Sequence, residues 1–557
     1  MKRKSIISVL LILCFILSGC QQKNTFDELN SSSKKEKTEL TTPDINQVTE
    51  IPNEHSRLPN STSEYLTTDT ALYYFSDEAM MPEYSTLTSE EYLTINQNSF
   101  SDTNKQPVIT FSLKTSTAAY SNVKRYINDG HTPPTDAVRT EELLNYFSYE
   151  EDAVDTDSPF SIYSEIGPSP FNSEYYLALV RVKTKEIDTS SLPYSNLTFL
   201  IDTSGSMDSP DKLPLLKSAF SLLVDSLSEN DTISIVTYAG SSEIVLDSVN
   251  ASNKEVIMNA IDNLTARGST AGSEGILTAY KLCEKNYIEG GNNRIILASD
   301  GDFNVGVATT DELEQLVLSK KEQGIYLSVM GFGTGNLKDN IMETIAQNGN
   351  GNYSYIDSIS TAQKVLVKEM GSTLYTVADD VKAQLEFNPD YVESYRLIGY
   401  EHTAMANEDF DNDQKDAGEI GMTTDVITLV ELKLKSEPNN SNNECSIFAE
   451  CLSKLPTLFQ VNIRYKEPND SKSQLITFPV TAIIEQMHAA QINFMNSADF
   501  RFASAVASFC ELLRDSQYSD NLDVDTIIAE ATYGIGTDEN GYRNEFLMML
   551  YQYKYIR

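Results

Sequence analysis

The sequence predicts an α/β fold in which a doubly wound, mostly parallel sheet is flanked by a β-rich accessory domain and a C-terminal helical segment. Residues 196–375 alternate short, almost entirely apolar runs with helical patterns, which is typical of a parallel sheet covered on both faces. Residues 376–483 change to strand-like segments between Asn-, Asp- and Pro-rich turns. Residues 484–557 return to a helical period, which completes the predicted architecture.

The elements of the central segment can be placed one by one. The predicted strands are LTFLID, TISIVTYA, SEIVLDS, RIILASD, YLSVMGFG and YSYID. The predicted helices lie near 211–228, 254–264, 274–286, 311–322, 337–347 and 361–370. This alternation requires crossover connections, which place helices on both faces of one sheet.

The N-terminus has the organisation of an export signal. Residues 1–19 combine a basic start with a mostly apolar run that is too short to span a bilayer comfortably. The run ends in Leu17-Ser18-Gly19-Cys20, which resembles the lipobox of bacterial lipoproteins. The resemblance implies that Cys20 is diacylated and becomes the first residue of the mature chain. The alternative is an ordinary signal peptide that happens to contain a cysteine.

The charge of the chain restricts its partners. The sequence has 42 basic and 81 acidic residues, for a formal net charge of −39. Cleavage before Cys20 would remove three basic residues and no acidic ones, which makes the net charge of the mature chain more negative still. Nucleic acid is therefore excluded as a partner, because phosphate binding needs clusters of Lys and Arg that the sequence lacks. Divalent cations and basic surfaces would be attracted instead.

Two regions precede the central segment. Residues 20–86 are polar over most of their length, and we interpret them as a flexible tether. Residues 87–195 form an N-terminal accessory region with a predicted helix at Ala118–Asn128 and strands over about 160–183. Two strands cannot form a stable sheet alone, so we expect 160–183 to pair with the strands of 376–483. The alternative is two small domains in series.

Oxygen-bearing side chains follow the first strand of the central segment. Asp202 ends that strand, and Ser204 and Ser206 follow at alternate positions in a loop that leads to a helix. Ligands of open α/β sheets bind beyond the carboxyl ends of the strands. Thr270 lies in another loop, and Asp300 ends another strand. Carboxylate and hydroxyl oxygens suit Mg²⁺, Mn²⁺ or Ca²⁺, so the pattern indicates a divalent cation site.

These motifs resemble a known family. Residues 196–375 are similar to a von Willebrand factor A domain with its metal-ion-dependent adhesion site, whose pattern is D-x-S-x-S, then Thr, then the Asp of a T-D-G motif. The matching residues are Asp202, Ser204, Ser206, Thr270 and Asp300, with Ser299 where Thr is commoner. The resemblance implies that Ser204 and Ser206 bind the metal directly, that Thr270 binds it in the ligand-competent state, and that Asp202 and Asp300 act largely through water. The flanks contain TFSLKTSTAAYSNVKRYINDGHTPPTDAVRTEELLNYF before this segment, and EFNPDYVESYRLIGYE, DFDNDQKDAGEIG and ADFRFASAVASFCELLRDS after it. These stretches resemble the YfbK-like bacterial lipoproteins, and the resemblance covers about 87–557.

The resemblance implies a binding module rather than an enzyme. It would be lipid-anchored on the extracytoplasmic face of the membrane and would hold an acidic side chain of a partner protein through Mg²⁺, or through Mn²⁺ or Ca²⁺. A hydrolase is disfavoured because the motif supplies no spare His or Lys and no second metal. A structural envelope lipoprotein with a vestigial site remains the alternative.

Two further patterns bear on metal binding and on the state of the cysteines. Asp409, Asp411 and Asp413 match the first positions of an EF-hand loop, but the required Gly and Glu positions hold Gln414 and Ile420, which favours a solvated acidic turn. Among the cysteines, Cys283 and Cys510 lie in apolar helical patterns and are expected to be buried thiols, whereas Cys445 and Cys451 are close enough in sequence to pair. Whether they form a disulfide is left open.

Overall fold

The computed structural model describes residues 89–113, 116–150, 154–155, 158–185, 192–269, 272–301, 310–436, 456–468, 470, 472–481 and 496–557. Its strands are β1 Ser101–Asp102, β2 Val108–Ser112, β3 Val154–Asp155, β4 Phe160–Pro168, β5 Tyr176–Thr184, β6 Ser195–Asp202, β7 Thr232–Tyr238, β8 Ser242–Asn250, β9 Asn292–Ser299, β10 Ile325–Phe332, β11 Tyr353–Ile356, β12 Thr376–Phe387, β13 Val392–Ile398, β14 Ala404–Met405, β15 Gly418–Gly421, β16 Asp425–Leu434, β17 Thr457–Lys466 and β18 Ser473–Thr481. Its helices are α1 Ala118–Asn128, α2 Thr140–Leu144, α3 Leu213–Ser226, α4 Lys254–Asp262, α5 Gly272–Lys285, α6 Thr310–Lys321, α7 Asp339–Asn348, α8 Ile359–Gln363, α9 Met370–Leu374, α10 Ala498–Leu513, α11 Val524–Tyr533 and α12 Tyr542–Ile556. These elements all belong to one compact unit, Tyr84–Arg557.

The central segment forms the predicted doubly wound sheet. Its strand order is β11-β10-β9-β6-β7-β8, and all neighbours are parallel except β8, which is antiparallel to β7 at the edge. Every residue of β6 and β9 is buried, as expected for strands with helices on both sides. In the edge strand β8, by contrast, every position is partly or fully exposed.

Helices cover both faces of this sheet with separate hydrophobic cores. On one face Phe199 of β6 packs with Leu216 and Phe220 of α3. On the other face Leu297 of β9 packs with Tyr280 of α5. Truncating one of these large buried side chains to Ala would cost about 3–5 kcal/mol of folding free energy. The sheet edge that carries the site is therefore held rigidly from both sides.

The predicted pairing between the N-terminal and C-terminal strands is present. One antiparallel sheet has the order β1-β13-β16-β5-β4-β3, and Leu179 of β5 lies opposite Leu429 of β16. This ladder runs from Tyr176↔Leu432 to Lys183↔Asp425 and excludes two separate domains in series. The α/β domain is thus inserted between strands of a single host.

The host contains more than the sheet that carries this pairing. A second antiparallel sheet has the order β14-β2-β12-β17-β18, with β15 paired to β12. The strands after residue 380 are therefore divided between two sheets, which pack face to face through one core. The 87–195 region is likewise no independent unit, because β2 joins one sheet while β4 and β5 join the other.

Helices form the outer layer of the host. The helices α1, α2, α10, α11 and α12 share a core with the outward face of β5 and β16, including Leu179 and Leu429. The predicted C-terminal helices are thus present within 496–557, whereas residues 484–495 lie outside the described residues. None of the helices described is long and apolar enough to cross a membrane.

Buried ion pairs join the host to the inserted domain. The guanidinium of Arg139 lies 2.6 Å from the Asp339 carboxylate at the start of α7 and 2.8 Å from Glu142. Nearby, the Lys124 ammonium of α1 is 3.1 Å from Asp357. Removing one partner of such a pair leaves an uncompensated buried charge, at a cost of about 3–5 kcal/mol. These contacts fix the inserted domain against α1 and α2.

Candidate metal site

The candidate site begins where β6 ends. After Asp202 the chain forms a short 3₁₀ turn, Gly205–Asp208, and α3 begins at Leu213. The helix therefore begins close to the start predicted near 211, and the 3₁₀ turn separates its first amides from Ser204. The loop is held instead by a hydrogen bond of 3.1 Å from the Gly205 N–H to the Gly268 carbonyl.

The serine hydroxyls converge as the D-x-S-x-S motif requires. Ser204 Oγ and Ser206 Oγ are 3.0 Å apart, and the Ser204 amide donates to Asp202 Oδ1 at 2.8 Å. Asp202 and Ser204 are buried, whereas Ser206 is exposed. The cluster therefore has a fixed inner part and one hydroxyl that opens to solvent.

Asp300 reaches the same place from the neighbouring strand. It follows directly after β9, which pairs with β6, and its side chain is buried. The Ser299 hydroxyl donates to Asp202 Oδ2 at 3.3 Å, so this residue supports the motif's first carboxylate. The structure thus brings Asp202, Ser204, Ser206 and Asp300 together at the carboxyl edge of the sheet.

A lysine that sequence reasoning missed also lies in the site. The Lys212 ammonium donates to Asp300 Oδ2 at 2.8 Å and to Asn336 Oδ1 at 3.2 Å. This lysine lies outside the motif and is committed to these two partners, so it is not a spare base. Gly333 makes room for the lysine stem, since a Cβ at this position would lie 2.2 Å from Lys212 Cε. The only signal in the sequence is a lysine shortly after the motif, together with the GFGTGN turn at 331–336.

The two carboxyls have opposite electrostatic surroundings. Burial raises the pKa of Asp202 to about 6, and the neighbouring Asp300 adds to this rise, although hydrogen bonds from Ser204 oppose it. Burial also acts to raise the pKa of Asp300, but the hydrogen bond and charge of Lys212, with help from Ser206, lower it overall. Asp300 is therefore held as a carboxylate, and a cation at the site would favour the ionised form of Asp202 as well.

The donor set fits a hard divalent cation. Two hydroxyl and two carboxylate groups on rigid elements are the ligand types of Mg²⁺, Mn²⁺ or Ca²⁺. Within the described residues no group of three or more His, Cys, Asp or Glu side chains has the arrangement of a metal site. Thr270 and the lipidation candidate Cys20 lie outside the described residues, so both remain predictions.

The acidic turn that resembles an EF-hand is paired with protein groups. Arg464 is 3.2 Å from Asp411 and 3.0 Å from Asp413. Lys382 donates to the Asp409 carbonyl at 3.2 Å. These contacts support the interpretation as a solvated acidic turn. Cys283 and Cys510 are buried free thiols, as expected, and Cys445 and Cys451 lie outside the described residues.

Family models match three successive parts of the chain. The model described as von Willebrand factor type A domain matches residues 196–369. The model described as von Willebrand factor matches residues 86–179, and the model described as "Uncharacterized protein YfbK, C-terminal" matches residues 372–556. The three matches correspond to the inserted domain and to the two halves of its host.

Relatives extend the match over most of the chain. The "Uncharacterized protein YfbK" of Escherichia coli is 42% identical over 476 residues, covering 82% of this chain and 80% of that protein. The human inter-alpha-trypsin inhibitor heavy chain H3 is 22% identical over 281 residues, covering 47% of this chain and 31% of that protein. Among solved structures, the von Willebrand factor type A protein from Catenulispora acidiphila matches 71% of this chain and 90% of that chain, with 17% identity and a TM-score of 0.42. The 42% identity with the Escherichia coli protein and the family models show that the chain belongs to the YfbK-like family, which is built around a von Willebrand factor A domain.

Proposed function

We propose that this protein is a membrane-anchored, extracytoplasmic binding module that holds a protein partner through a divalent cation. The von Willebrand factor A domain is an interaction and adhesion type of module, which supports the general part of this proposal. The observation that carries the metal-dependent part is the convergence of Ser204 and Ser206, 3.0 Å apart, beside Asp202 and Asp300 at the carboxyl edge of the sheet.

The residues of the candidate metal site have distinct roles in this proposal. Ser204 and Ser206 would hold Mg²⁺, or Mn²⁺ or Ca²⁺, with Asp202 and Asp300 supplying negative charge and Thr270 completing the set. The bound cation would supply a positive charge and an open position for a carboxylate of the partner. The exposed Ser206 faces the side from which such a carboxylate would approach. A chain of net charge −39 gains a local attraction for acidic side chains in this way.

We propose that the protein does not catalyse a reaction. Hydrolysis at this site would need a general base within reach of a water. Lys212 lies beside the site, but its ammonium is committed to Asp300 and Asn336 as a donor. His402 and His131 belong to the host rather than to this edge of the sheet. The groups around the site are suited to binding.

Anchoring rests on the N-terminal motif. The sequence around Cys20 supports a lipoprotein that is tethered by residues 20–86 to the outer side of the membrane. We expect Cys20→Ser to abolish incorporation of labelled fatty acid and to leave the chain uncleaved or released. Persistent labelling of that variant would refute the anchor while leaving the metal site untouched.

Binding of the cation alone is tested by calorimetry with Mg²⁺ and Mn²⁺. We expect a dissociation constant in the high-micromolar to millimolar range, because the ligands are few and partly neutral. The double variant Asp202→Ala, Ser204→Ala should lose the binding heat. The double variant Ser209→Ala, Asp211→Ala is a matched control, because these side chains hydrogen-bond each other in the same loop. Unchanged heat in the first variant would reject the site.

Partner binding is tested by capture from detergent-solubilised cell envelopes with Mg²⁺ or with EDTA. The proposal requires a specific protein that is retained with Mg²⁺, released by EDTA and absent with the Asp202→Ala variant.

A structural envelope lipoprotein with a vestigial site is the second candidate, because Lys212 already provides Asp300 with a cation. That candidate requires the same retained proteins with and without chelator.

A further inference from the structure

A polar cavity lies near the N-terminal ends of the strands of the inserted sheet, away from the metal site. It has a volume of about 230 Å³ and opens between the loop before β11 and the host strands β12, β14 and β15. Arg294, near the start of β9, lines it, together with Asn350, His402 and Lys415. The metal site lies at the other ends of the same strands, so the two sites are separate.

Arg294 is a buried cation that forms no ion pair within the described residues, although its guanidinium lies 5.3 Å from the centroid of the Tyr326 ring. Its side chain is 2% exposed, and its hydrogen bonds run from Nη1 to Ser328 Oγ at 2.9 Å and to the Asn350 carbonyl at 3.2 Å. In the described part of the chain no carboxylate forms an ion pair with it, and its Nε is buried without a hydrogen-bond partner. Burial lowers the pKa of Arg294 to about 10, so the guanidinium still carries its charge at neutral pH. A buried charge in this state is costly, and an anion would relieve the cost.

Other polar groups around the cavity are unsatisfied as well. Asn350 Oδ1 is a buried atom with no hydrogen-bond partner in the described residues, and His402 Nδ1 has none either, although it lies 4.0 Å from Glu343 Oε1. Asn350 is also held at φ 47°, an uncommon conformation for a side-chain-bearing residue. Donor and acceptor atoms thus collect around one cavity, although buried polar groups in proteins are normally paired.

The carboxylates that line the cavity restrict what it accepts. Asp416 and Glu419 are both lining residues, so a ligand that is only anionic would meet repulsion there. Glu419 is weakly compensated, with its Oε1 4.0 Å from the Lys321 ammonium. A ligand with an acidic group at Arg294 and hydrogen-bond donors toward the acidic groups satisfies both sides.

We propose that this cavity binds a small carboxylic acid that also carries ammonium or hydroxyl donors, with its carboxylate at Arg294. Guanidinium groups form strong hydrogen bonds with carboxylates, and the Arg294 Nε–H has no acceptor among the described residues. The volume is below the range of drug-sized sites, roughly 300–1,000 Å³, which fits a molecule of amino-acid size. Such a ligand would lie between the inserted domain and its host.

The test uses the purified full chain and three probes at matched ionic strength: glycine, acetate and glycinamide. Thermal unfolding is followed with each probe over increasing concentration. We expect glycine to raise the unfolding midpoint in a saturable way, acetate to raise it less, and glycinamide to leave it at the value in salt alone. Arg294→Met should abolish the glycine effect, Arg294→Lys should weaken it, and Arg501→Met, a partly exposed arginine on α10, should retain it.

Two outcomes of the unfolding experiment overturn the proposal as a whole. One is the absence of any saturable shift with glycine or acetate in the wild type, and the other is an equal shift in Arg294→Met. An acetate effect as large as that of glycine would overturn the requirement for donors. If Arg294→Met fails to fold, wild-type crystals soaked with glycine decide the matter, because the carboxylate must then appear about 2.7–3.2 Å from the Arg294 guanidinium nitrogens. Electron density for water alone would reject the site.

Discussion

At the scale of single residues, Lys212 has two opposed effects on the metal site. Its hydrogen bond holds Asp300 in place and contributes to the lowered pKa of that carboxyl. Its ammonium also places a positive charge beside the position that a cation would take, and the lysine side chain is only 9% exposed. Coulomb repulsion between such charges is strong where water is excluded. The lysine therefore orders the ligands and at the same time weakens the affinity for metal.

We expect Lys212→Met to bind Mg²⁺ about tenfold more tightly, a gain of about 1.4 kcal/mol, because removal of a like charge outweighs the looser position of Asp300. Calorimetry at pH 7 and fixed ionic strength measures this change. Lys217→Met is the matched control, since this lysine lies on α3, which Lys212 precedes, and donates to the Asp262 carbonyl at 2.7 Å instead. Weaker binding in Lys212→Met would mean that the ordering of Asp300 dominates.

The sequence predicts some residues of the site and not others for a physical reason. Asp202 and Ser204 are recognisable because the end of a buried strand and a fixed local spacing determine where they lie. Asp300 follows from the rule that parallel strands end at the same edge. Lys212 was missed because a lysine at the start of an amphipathic helix is ordinarily solvated, and its inward course depends on Gly333, which lies far along the chain.

At the scale of elements, the turn after β10 shapes the metal site. Gly333 has φ 71° and Gly335 has φ 93°, conformations that favour glycine. Beyond this shared property, the two positions differ in their surroundings. A Cβ at Gly333 would overlap the Lys212 stem, whereas nothing lies within 4 Å of a Cβ at Gly335. The difference separates the cost of backbone strain from the cost of displacing the lysine.

We expect Gly333→Ala to lower the free energy of unfolding by more than Gly335→Ala. Both variants bear a backbone cost of about 1 kcal/mol, and overpacking against Lys212 adds about 1–3 kcal/mol to the first alone. Denaturant titration of the two variants measures this difference. Gly333→Ala should also change the affinity for Mg²⁺ in the direction of Lys212→Met. Equal destabilisation by both alanines would show that the lysine stem moves aside freely.

The strands were easier to predict than their partners. Alternation and turn residues place β12, β13, β16, β17 and β18 near their observed positions, because these signals are local. The division of these strands between two sheets depends on β2 and β5, which come from before residue 190 and insert beside β12 and β16. Local patterns carry no information about such long-range pairing, so the second sheet was not foreseen.

At the scale of the whole molecule, the host is completed only by both halves of the chain. Val108–Ser112 lies between β14 and β12, and Tyr176–Thr184 lies between β16 and β4. We therefore expect the isolated fragment 381–481 not to unfold cooperatively, since each sheet would lack an internal strand. Circular dichroism with heating or denaturant measures this. A sharp two-state transition of the fragment would show that the downstream strands form a domain by themselves.

The first described residues also tie the host to the edge that carries the metal site. The Glu90 carboxylate accepts two hydrogen bonds from Arg125 of α1, at 3.0 and 2.9 Å, and one from the Gly335 amide at 2.8 Å. Its side chain is 1% exposed. Although burial acts to raise the pKa of Glu90, the Arg125 hydrogen bonds and charge lower it to about 2. One carboxylate thus joins the N-terminal segment, α1 and the turn beside Lys212.

This pKa gives stability a defined dependence on pH. Because the pKa is lowered on folding, the unfolded chain binds the proton more readily, and the stabilisation is present above the unfolded pKa and lost as pH falls through the folded pKa. We expect Glu90→Gln to lower the free energy of unfolding by about 3 kcal/mol at pH 7. The difference from wild type should shrink between about pH 5 and pH 2. Urea unfolding at several pH values measures it, with Glu91→Gln as control because its carboxylate is exposed and pairs with Lys338. A difference between wild type and Glu90→Gln that stays constant with pH would mean that the buried pair stabilises through packing rather than through charge.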